Sequence, residues 1–252
     1  MSARLDTVLL VAVLVAIWQA LHMIAGDLAL SSPVDTVARA AQLLASAGFW
    51  RHAAASGVAL ALALAIAVLG GVGLGVWLGA HRLSGAVAEP FLIAFYTLPK
   101  ITLYPVILLI FGLGLSAKVA FGALHGIMPI TVFVMAGIRN IDPVLLKSAR
   151  VLRLSPAQVV WRLILPATLP ELLAGLRVGL SMTLLGTLIG EMFAAKAGIG
   201  QLLIRAIARI DSETILALTL IMFAFALAMN AILLAIERRS RGASGKASIE
   251  LL

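Results

Sequence analysis

The chain has 252 residues, of which 62% are hydrophobic and 12% are charged. Soluble domains average about 45–50% apolar and about 25% charged residues, so this composition excludes an ordinary soluble protein and indicates an integral membrane protein. The net charge is +8, and the absence of cysteine excludes disulfides, thiol catalysis and cysteine-ligated metal sites. In a membrane protein, such a basic excess indicates cytoplasmic loops rather than nucleic-acid binding.

Six apolar segments are each long enough to cross a bilayer, which takes about 20 mostly apolar residues. In chain order they are 7–26, 56–80, 91–115, 119–138, 172–193 and 214–236. The first could instead be a signal peptide with Arg4 as its basic region, but its apolar run exceeds that of a usual signal and no small-residue cleavage motif follows. We therefore predict an all-α membrane protein with six transmembrane helices in a single domain, residues 1–252.

The basic residues between the spans predict the orientation. If the N-terminus is cytoplasmic, the inner side carries Arg4, Arg82, Arg139, Lys147, Arg150, Arg153, Arg162, Arg177, Arg238, Arg239, Arg241 and Lys246. The outer side then carries Arg39, Arg51, Lys118, Lys196, Arg205 and Arg209. Because cytoplasmic loops are enriched in lysine and arginine, both termini are predicted to lie inside.

Two amphipathic helices are predicted on the outer side. The first follows Ser32, which is suited to cap a helix that begins with Pro33. The second covers 199–210, where apolar residues occupy one face and Gln201, Arg205 and Arg209 recur on the other. Both are predicted to lie on the outer surface as connectors, although a gate or a contact for an outer partner stays open for the second.

The inner segment 140–170 is longer and more structured than a connection needs to be. An Asp-Pro pair at 142–143 and a Ser-Pro pair at 155–156 each combine a capping residue with a proline suited to a first turn, which predicts two short helices. Pro166 and Pro170 are expected to interrupt the helix where the chain returns to the membrane. A partner is therefore expected to dock on this segment.

Within this segment, Lys147-Ser148-Ala149, then Arg153, and later Leu165-Pro166 resemble the signature loop of permease subunits of ATP-binding-cassette importers. In that loop, a Glu-Ala-Ala triplet is followed by a glycine four residues later and then by Leu-Pro. Further motifs resemble the nitrate/sulfonate/taurine branch of the family: Thr97-Leu98-Pro99-Lys100, Phe111-Gly112-Leu113-Gly114, Ala136-Gly137-Ile138-Arg139, Asp142-Pro143 and Gly190-Glu191-Met192.

The resemblance implies the type I importer permease fold, in which the loop forms a coupling helix seated in a groove of a cytoplasmic ATPase. The residues that it assigns to coupling are Lys147, Ser148, Ala149, Arg150, Leu152, Arg153, Pro156, Leu165 and Pro166. Lys147 replaces the family's glutamate, Ser148 its first alanine and Arg153 its glycine. We expect the helical backbone to accommodate these changes, because glycine is the poorer helix former.

By the same resemblance, the chain is a permease of the bacterial inner membrane that works as a homodimer. Its expected partners are two ATPase subunits, which would bind ATP and Mg²⁺, an extracytoplasmic solute-binding protein and the lipid bilayer, but no nucleic acid. No catalytic, cofactor or metal residue is expected on this chain. The Gly-Ala-Ser-Gly-Lys stretch in the basic segment 238–252 is not a phosphate-binding loop, because its glycines are too close together. The segment is predicted to be a flexible tail.

Lys100 is the most informative residue within a span, because an intramembrane cation usually faces a cavity or a partner. Pro99 and Pro105 are expected to break the helix around it. Lys100 could contact an anionic cargo, its long stem could carry the ammonium to solvent, or it could pair with Glu191 at the outer end of the fifth span. The candidate residues of the translocation path are Thr97, Lys100, Tyr104 and Glu191.

The cargo that the branch implies is a small polar or anionic organic solute: nitrate, a sulfonate, taurine, an aromatic acid or a pyrimidine precursor. Two other functions stay open. An ion-gradient-driven secondary transporter would need acidic residues within its spans and, often, repeated halves. A membrane scaffold would only anchor a cytoplasmic partner.

Overall fold

A computed structural model shows a helical chain in which long apolar helices alternate with short ones. It describes the backbone of residues 3–194 and 196–249, with all of their side chains except those at 3–4, 156–157, 194 and 238–249. The described α-helices are α1 Ala3–Ala25, α2 Pro33–Ala45, α3 Ala47–Ala80, α4 Arg82–Thr97, α5 Tyr104–Phe111, α6 Leu115–Arg139, α7 Pro143–Val151, α8 Pro156–Val159, α9 Leu165–Ala194, α10 Ile199–Ala208 and α11 Ser212–Ile249. A 3₁₀ turn, Lys100–Leu103, joins α4 to α5, and a π-helical turn, Val160–Ile164, joins α8 to α9.

Five helical stretches in the described residues are long and apolar enough to cross a membrane, and a sixth crossing results if α4 and α5 count as one span. The five are Leu5–Ala25, Ala47–Ala80, Leu115–Arg139, Val160–Phe193 and Ser212–Glu237. This pattern confirms the predicted all-α membrane fold. The second and fifth spans begin earlier than 56 and 172, because polar residues such as Arg51 and Arg162 continue the helix beyond the apolar run.

The third crossing is broken, with α4 and the following stretch Lys100–Phe111 bent by 91° relative to each other. The break falls at Leu98-Pro99, where proline cannot donate a backbone hydrogen bond and restricts the residue before it to extended backbone. Pro105 plays a different part from the one we expected. It lies in the first turn of α5, where a missing N–H breaks no helical bond, so it starts a helix instead of breaking one.

The core of the bundle is the three-way contact of α3, α6 and α9. Glycines bring α3 and α6 together so closely that a Cβ at Gly71 would lie 2.7 Å from Ile130 Cβ. A Cβ at Gly126 would collide with the Thr183 hydroxyl of α9, which donates to its own helix at the Gly179 carbonyl at 2.7 Å. α6 is therefore the central helix of the bundle, because it packs closely against both α3 and α9.

The first helix stands apart from this core. None of the residues in the apolar window of α1 is buried, so its sides are left to lipid or to another chain. Its last turns are attached to the following segment by the Trp18 indole, which donates to the Ser31 carbonyl at 3.1 Å, and by the His22 ring, 2.7 Å from the Leu30 carbonyl.

The two predicted amphipathic helices form, as α2 and α10. The Asp35 amide donates to the Ser32 hydroxyl at 3.1 Å, so the predicted cap of α2 is confirmed. α10 packs against the bundle as more than a loose connector, because Ile199 lies in a buried cluster with Phe49 of α3 and Leu218 of α11. We refer to the end of the molecule that carries α2 and α10 as the α10 end.

The last helix continues further than predicted. The backbone of α11 is helical as far as Ile249, where the sequence predicted a flexible tail over 238–252. The basic side chains of that tail lie outside the described residues.

Candidate functional site

Both short helices of the inner segment begin where the sequence predicts. The Val144 amide donates to the Asp142 carboxylate at 2.8 Å and starts α7. At α8, the Ser155 amide donates to the Gln158 side chain at 2.9 Å, and the Gln158 amide donates to the Ser155 hydroxyl at 3.3 Å. This reciprocal pair is a capping box, which satisfies two otherwise unpaired backbone donors.

The expected interruption at Pro166 and Pro170 is wrong. α8 runs through the π-helical turn directly into α9, and Pro170 lies inside that helix. The Leu165 amide reaches back five residues to the Val160 carbonyl, which widens the turn just before the proline that cannot donate. Leu165 and Pro166 are exposed at this point, whereas the side chain of Pro156 lies outside the described residues.

Three large apolar side chains of the inner segment are exposed to a degree unusual for a solvated loop. Val151, Leu152 and Trp161 are 82%, 70% and 70% exposed, and we call them the inner apolar residues. The resemblance identified only Leu152; a tryptophan within an otherwise basic segment was the signal that could have revealed Trp161. Exposed apolar side chains with a polar rim are typical of interaction sites.

The predicted coupling residues divide by exposure. Lys147, Ser148 and Arg150 are exposed and supply the polar rim beside the inner apolar residues. Ala149, in contrast, is only 3% exposed, because its side chain faces the interior of its own chain. In this conformation the Ala149 side chain is therefore not available for the predicted direct contact with an ATPase.

Arg153 lies outside the helix that it was expected to continue. Its φ is +50°, in the left-handed region, and it directly follows the last residues of α7. The Leu154 amide donates to the Ala149 carbonyl at 3.1 Å and the Arg153 amide to the Arg150 carbonyl at 3.0 Å, which is the Schellman pattern of a helix end. Glycine suits this position because it adopts positive φ without cost, not because of its helix propensity.

A buried ion pair lies at the α10 end of the bundle. The Lys118 ammonium of α6 lies 3.1 Å from Oε1 of Glu191 on α9, and the two side chains are 6% and 0% exposed. Lys118 also donates to the Ala197 carbonyl at 3.2 Å. The sequence placed Lys118 in an outer loop and offered Lys100 as a partner for Glu191; the structure shows that the partner is Lys118.

The second oxygen of Glu191 ties two further elements to this pair. Oε2 accepts from the Ser56 hydroxyl of α3 at 2.7 Å and from the Gly200 amide of α10 at 3.1 Å. Ser56 in turn accepts from the Ile199 amide at 2.8 Å. A Cβ at Gly198, whose φ is +141°, would collide with the Glu191 carboxylate. We call Lys118, Glu191, Ser56 and the 198–200 backbone the Glu191 network.

The other predicted path residues lie around the broken crossing. The Lys100 ammonium donates to the Tyr96 carbonyl at 3.1 Å and lies 5.1 Å from the centre of the Tyr96 ring. Thr97 is exposed and donates to Ala94 of its own helix. Tyr104 is buried, and its hydroxyl donates to the Gly190 carbonyl at 2.8 Å, beside the Glu191 network.

The broken crossing is also attached to the C-terminal end of α6. Arg139, in the last turn of α6, donates to the Glu89 carboxylate of α4 at 2.7 Å. A Cβ at Gly85 would collide with the Arg139 guanidinium, so α4 lies directly against this arginine. Three residues separate this end of α6 from the start of α7, so Arg139 links α4 to the helix that precedes α7.

The turn between α10 and α11 is held by Asp211, outside the spans. Its carboxylate accepts from the Thr214 amide at 2.9 Å and caps α11. Burial alone would raise the pKa of Asp211, but the hydrogen bonds from Thr214 and the charges of Arg39 and Arg209 outweigh it and hold the pKa below its usual value. In the described part of the chain, no three histidine, aspartate or glutamate side chains gather as a metal site.

These features define a class of protein: a helical membrane subunit that presents a structured, partly apolar segment between its fourth and fifth crossings. A family model described as the binding-protein-dependent transport system inner membrane component matches residues 71–242. The match covers more than half of the chain, so the chain belongs to this family of multi-pass importer permeases.

Individual relatives agree with this assignment. The chain is similar to the taurine transport system permease protein TauC of Escherichia coli (strain K12), with 29% identity over 235 residues that cover 90% of this chain and 86% of the relative. It is 27% identical over 203 residues to SsuC of Bacillus subtilis (strain 168), named for transport of aliphatic sulfonates, with 79% and 72% coverage. The predicted resemblance to the nitrate/sulfonate/taurine branch is thus confirmed.

The fold has a solved counterpart. A chain of the MetNI methionine ABC transporter, in an inward-facing crystal form, matches with a TM-score of 0.59 at 20% identity, covering 79% of this chain and 96% of that chain. This likeness establishes the type I importer permease fold.

Proposed function

We propose that this chain forms the translocation path of an ATP-driven importer for a small organic anion of the sulfonate or taurine type. The substrate class is carried by the relatives, whose names refer to taurine and aliphatic sulfonates. The mechanism is carried by one structural observation, the inner apolar residues beside exposed basic ones. An importer permease needs a site through which a separate ATPase can move it, and these residues fit that purpose.

The ATPase would dock on α7 through Leu152 and Val151, with Lys147 and Arg150 meeting acidic side chains at the rim of its groove. Because Lys147 replaces a glutamate of the family's loop, the complementary position on the ATPase would carry the opposite charge. Closing of two ATPase subunits around ATP would move α7, and Arg139 would pass the movement to α4 through Glu89. Such a rigid-body change between two states is the usual form of transporter switching.

Two copies of the chain would enclose the path, with one ATPase on each inner segment and a solute-binding protein on the α10 end. The unburied sides of α1 are available for the second copy. Both termini would lie in the cytoplasm, as the distribution of basic residues predicts. Lys100 and Thr97, at the break in the third crossing, are the path residues that this arrangement favours, whereas Tyr104 and Glu191 would act through packing.

An ion-coupled transporter would instead require an acid in a span that can gain and lose a proton during transport. The buried acid of the fifth crossing, Glu191, is already compensated by Lys118 and two further donors. A scaffold would not require a path at all. ATP-dependent uptake separates these functions.

The test is Leu152→Glu in the chain assembled with its ATPase and reconstituted in vesicles. Placing a charge on an exposed docking residue should cost about 2 kcal/mol or more, which is roughly a thirtyfold loss of ATPase affinity. Co-purification of the ATPase and ATP-driven uptake of taurine or an alkanesulfonate should fall together. The matched control is Leu28→Glu, a leucine that is 82% exposed in the turn after α1 and should leave co-purification of the ATPase unchanged.

Unaltered ATPase binding by the Leu152 variant would contradict the docking assignment. Uptake by the unmodified assembly that continues without ATP and follows an ion gradient would contradict the importer itself.

A further inference from the structure

An open cavity of about 860 Å³ lies at the α10 end, between α3, the start of α6, the end of α9 and α10. Its lining includes two lysines, Lys118 and Lys196, and the amide of Gln201. Among its described lining residues there is no acidic side chain. The remaining wall is apolar and includes Val58, Leu115 and Phe193.

Lys118 is built into this cavity with one hydrogen-bond donor to spare. A lysine ammonium has three N–H donors. Within the described residues, two acceptors contact it, Glu191 and the Ala197 carbonyl. The side chain is only 6% exposed, and a buried donor without an acceptor is costly. The third N–H is therefore best satisfied by an acceptor that occupies the cavity.

Glu191 compensates the positive charge of Lys118, but it does not compensate that of Lys196. Lys196 is exposed, and in the described part of the chain no carboxylate lies within ion-pair distance of it. The Gln201 amide lies between the Lys196 carbonyl and the Arg205 guanidinium. Oriented to fit both groups, it donates to the carbonyl and accepts from the guanidinium. Arg205 is thus a second cation near Lys196. The cavity therefore attracts negative charge and lacks an internal counterion for it.

We propose that this cavity binds a small organic oxyanion, a sulfonate or carboxylate whose oxygens meet Lys118 and Lys196 and whose apolar part lies on Leu115 and Phe193. The apolar wall favours an organic anion over a fully hydrated inorganic one, because burying its carbon surface is favourable. The inference deepens the proposed function by naming a site for the anionic cargo on the outer side. The same chemistry is offered by the headgroup of an anionic lipid, and the experiment separates the two sources.

The probe is ethanesulfonate, added to the full chain in nanodiscs of phosphatidylcholine, a lipid without net charge. Acetylation of exposed lysines by acetic anhydride is followed by mass spectrometry. Lys147 is also exposed but lies in the inner segment, so it serves as the internal reference. At a concentration about four times its dissociation constant, the anion should slow modification of Lys196 about fivefold and leave Lys147 unchanged.

A variant tests the position of the site. Gln201→Glu preserves shape but places a carboxylate in the cavity wall, so the affinity for ethanesulfonate should fall about tenfold. Gln42→Glu, the same change on exposed α2 outside the cavity, should leave protection of Lys196 intact. Equal protection of Lys147 and Lys196, protection of neither, or full protection in the Gln201 variant would overturn the proposal.

The lipid arm repeats the labelling in nanodiscs that contain phosphatidylglycerol. If Lys196 is protected there without solute and ethanesulfonate adds nothing, the bound oxyanion is a lipid headgroup. If ethanesulfonate protects in both lipids, it is a solute. ATP-driven uptake is measured separately, so a failure of the importer function would be distinguished from a failure of this site.

Discussion

Arg153 adopts a backbone conformation that glycine reaches without steric cost. For an L-residue, the left-handed region costs roughly 1–2 kcal/mol, because Cβ approaches the following carbonyl oxygen. The Schellman bonds at the end of α7 hold the arginine there. The Arg153 side chain is exposed, so only the backbone at this position is strained.

Arg153→Gly should therefore stabilise α7 by about 0.5–1 kcal/mol, with part of the relieved strain lost to the greater freedom of the unfolded chain. Hydrogen exchange of the amides in 144–154 would measure this gain. Arg150→Gly is the matched control, since it puts glycine inside the helix and should destabilise it by about 1 kcal/mol. Faster exchange in both variants would argue against the cap.

At the scale of elements, the Glu191 network joins four helices through one carboxylate. Its contacts come from α3, α6, α9 and α10, and the glycines at 198 and 200 leave room for the carboxylate between them. The network holds α10 against the ends of α3, α6 and α9 that lie at the α10 end. Any movement of α10 away from these helices must break these bonds.

Lys118→Met should be strongly destabilising, by about 3–5 kcal/mol, because it leaves the Glu191 carboxylate buried without a counterion. The double variant Lys118→Met with Glu191→Gln should recover much of that loss, since a neutral amide can still accept from Ser56 and Gly200. Thermal unfolding of the purified variants in detergent measures both. Glu191→Gln alone completes the cycle, and if the losses of the two single variants simply add in the double variant, the ion pair is not coupled.

At the scale of the whole molecule, the central bundle is packed within the chain, whereas α1 and the inner segment leave apolar side chains uncovered. α3, α6 and α9 are held by glycine contacts, whereas α1 lies outside that core and the inner segment exposes apolar side chains. A single copy is therefore incomplete in its contacts: α1 and the inner apolar residues need lipid or other chains to cover them.

The proposed orientation can be tested directly because the chain has no cysteine of its own. Single cysteines would be introduced as Gln42→Cys on α2 and Ser148→Cys on α7, both at exposed positions. A membrane-impermeant maleimide should label the first in intact cells and the second only after permeabilisation. The reverse pattern would place the inner segment outside and remove the ATPase from the proposal.

The sequence by itself determined the features that depend on local chemistry. Apolar length predicted six crossings, which the structure gives as five long helices and one bent pair. Ser32 and Asp142 predicted two helix starts, and the motifs predicted the family that the match over residues 71–242 shows. Pro99 also fixed the break in the third crossing. Each of these follows from neighbours along the chain, so the residues that decide them are adjacent in the sequence.

Only the tertiary structure decided which distant groups meet. Lys118 reaches Glu191 because glycines let α6 and α9 approach closely, and no sequence spacing distinguishes that lysine from Lys100. Ala149 is buried and Arg153 is left-handed because of how α7 ends and packs, which helix propensity does not encode. The helix through Pro166 and Pro170 persists because a widened turn and the surrounding bundle override the local tendency of proline to end it.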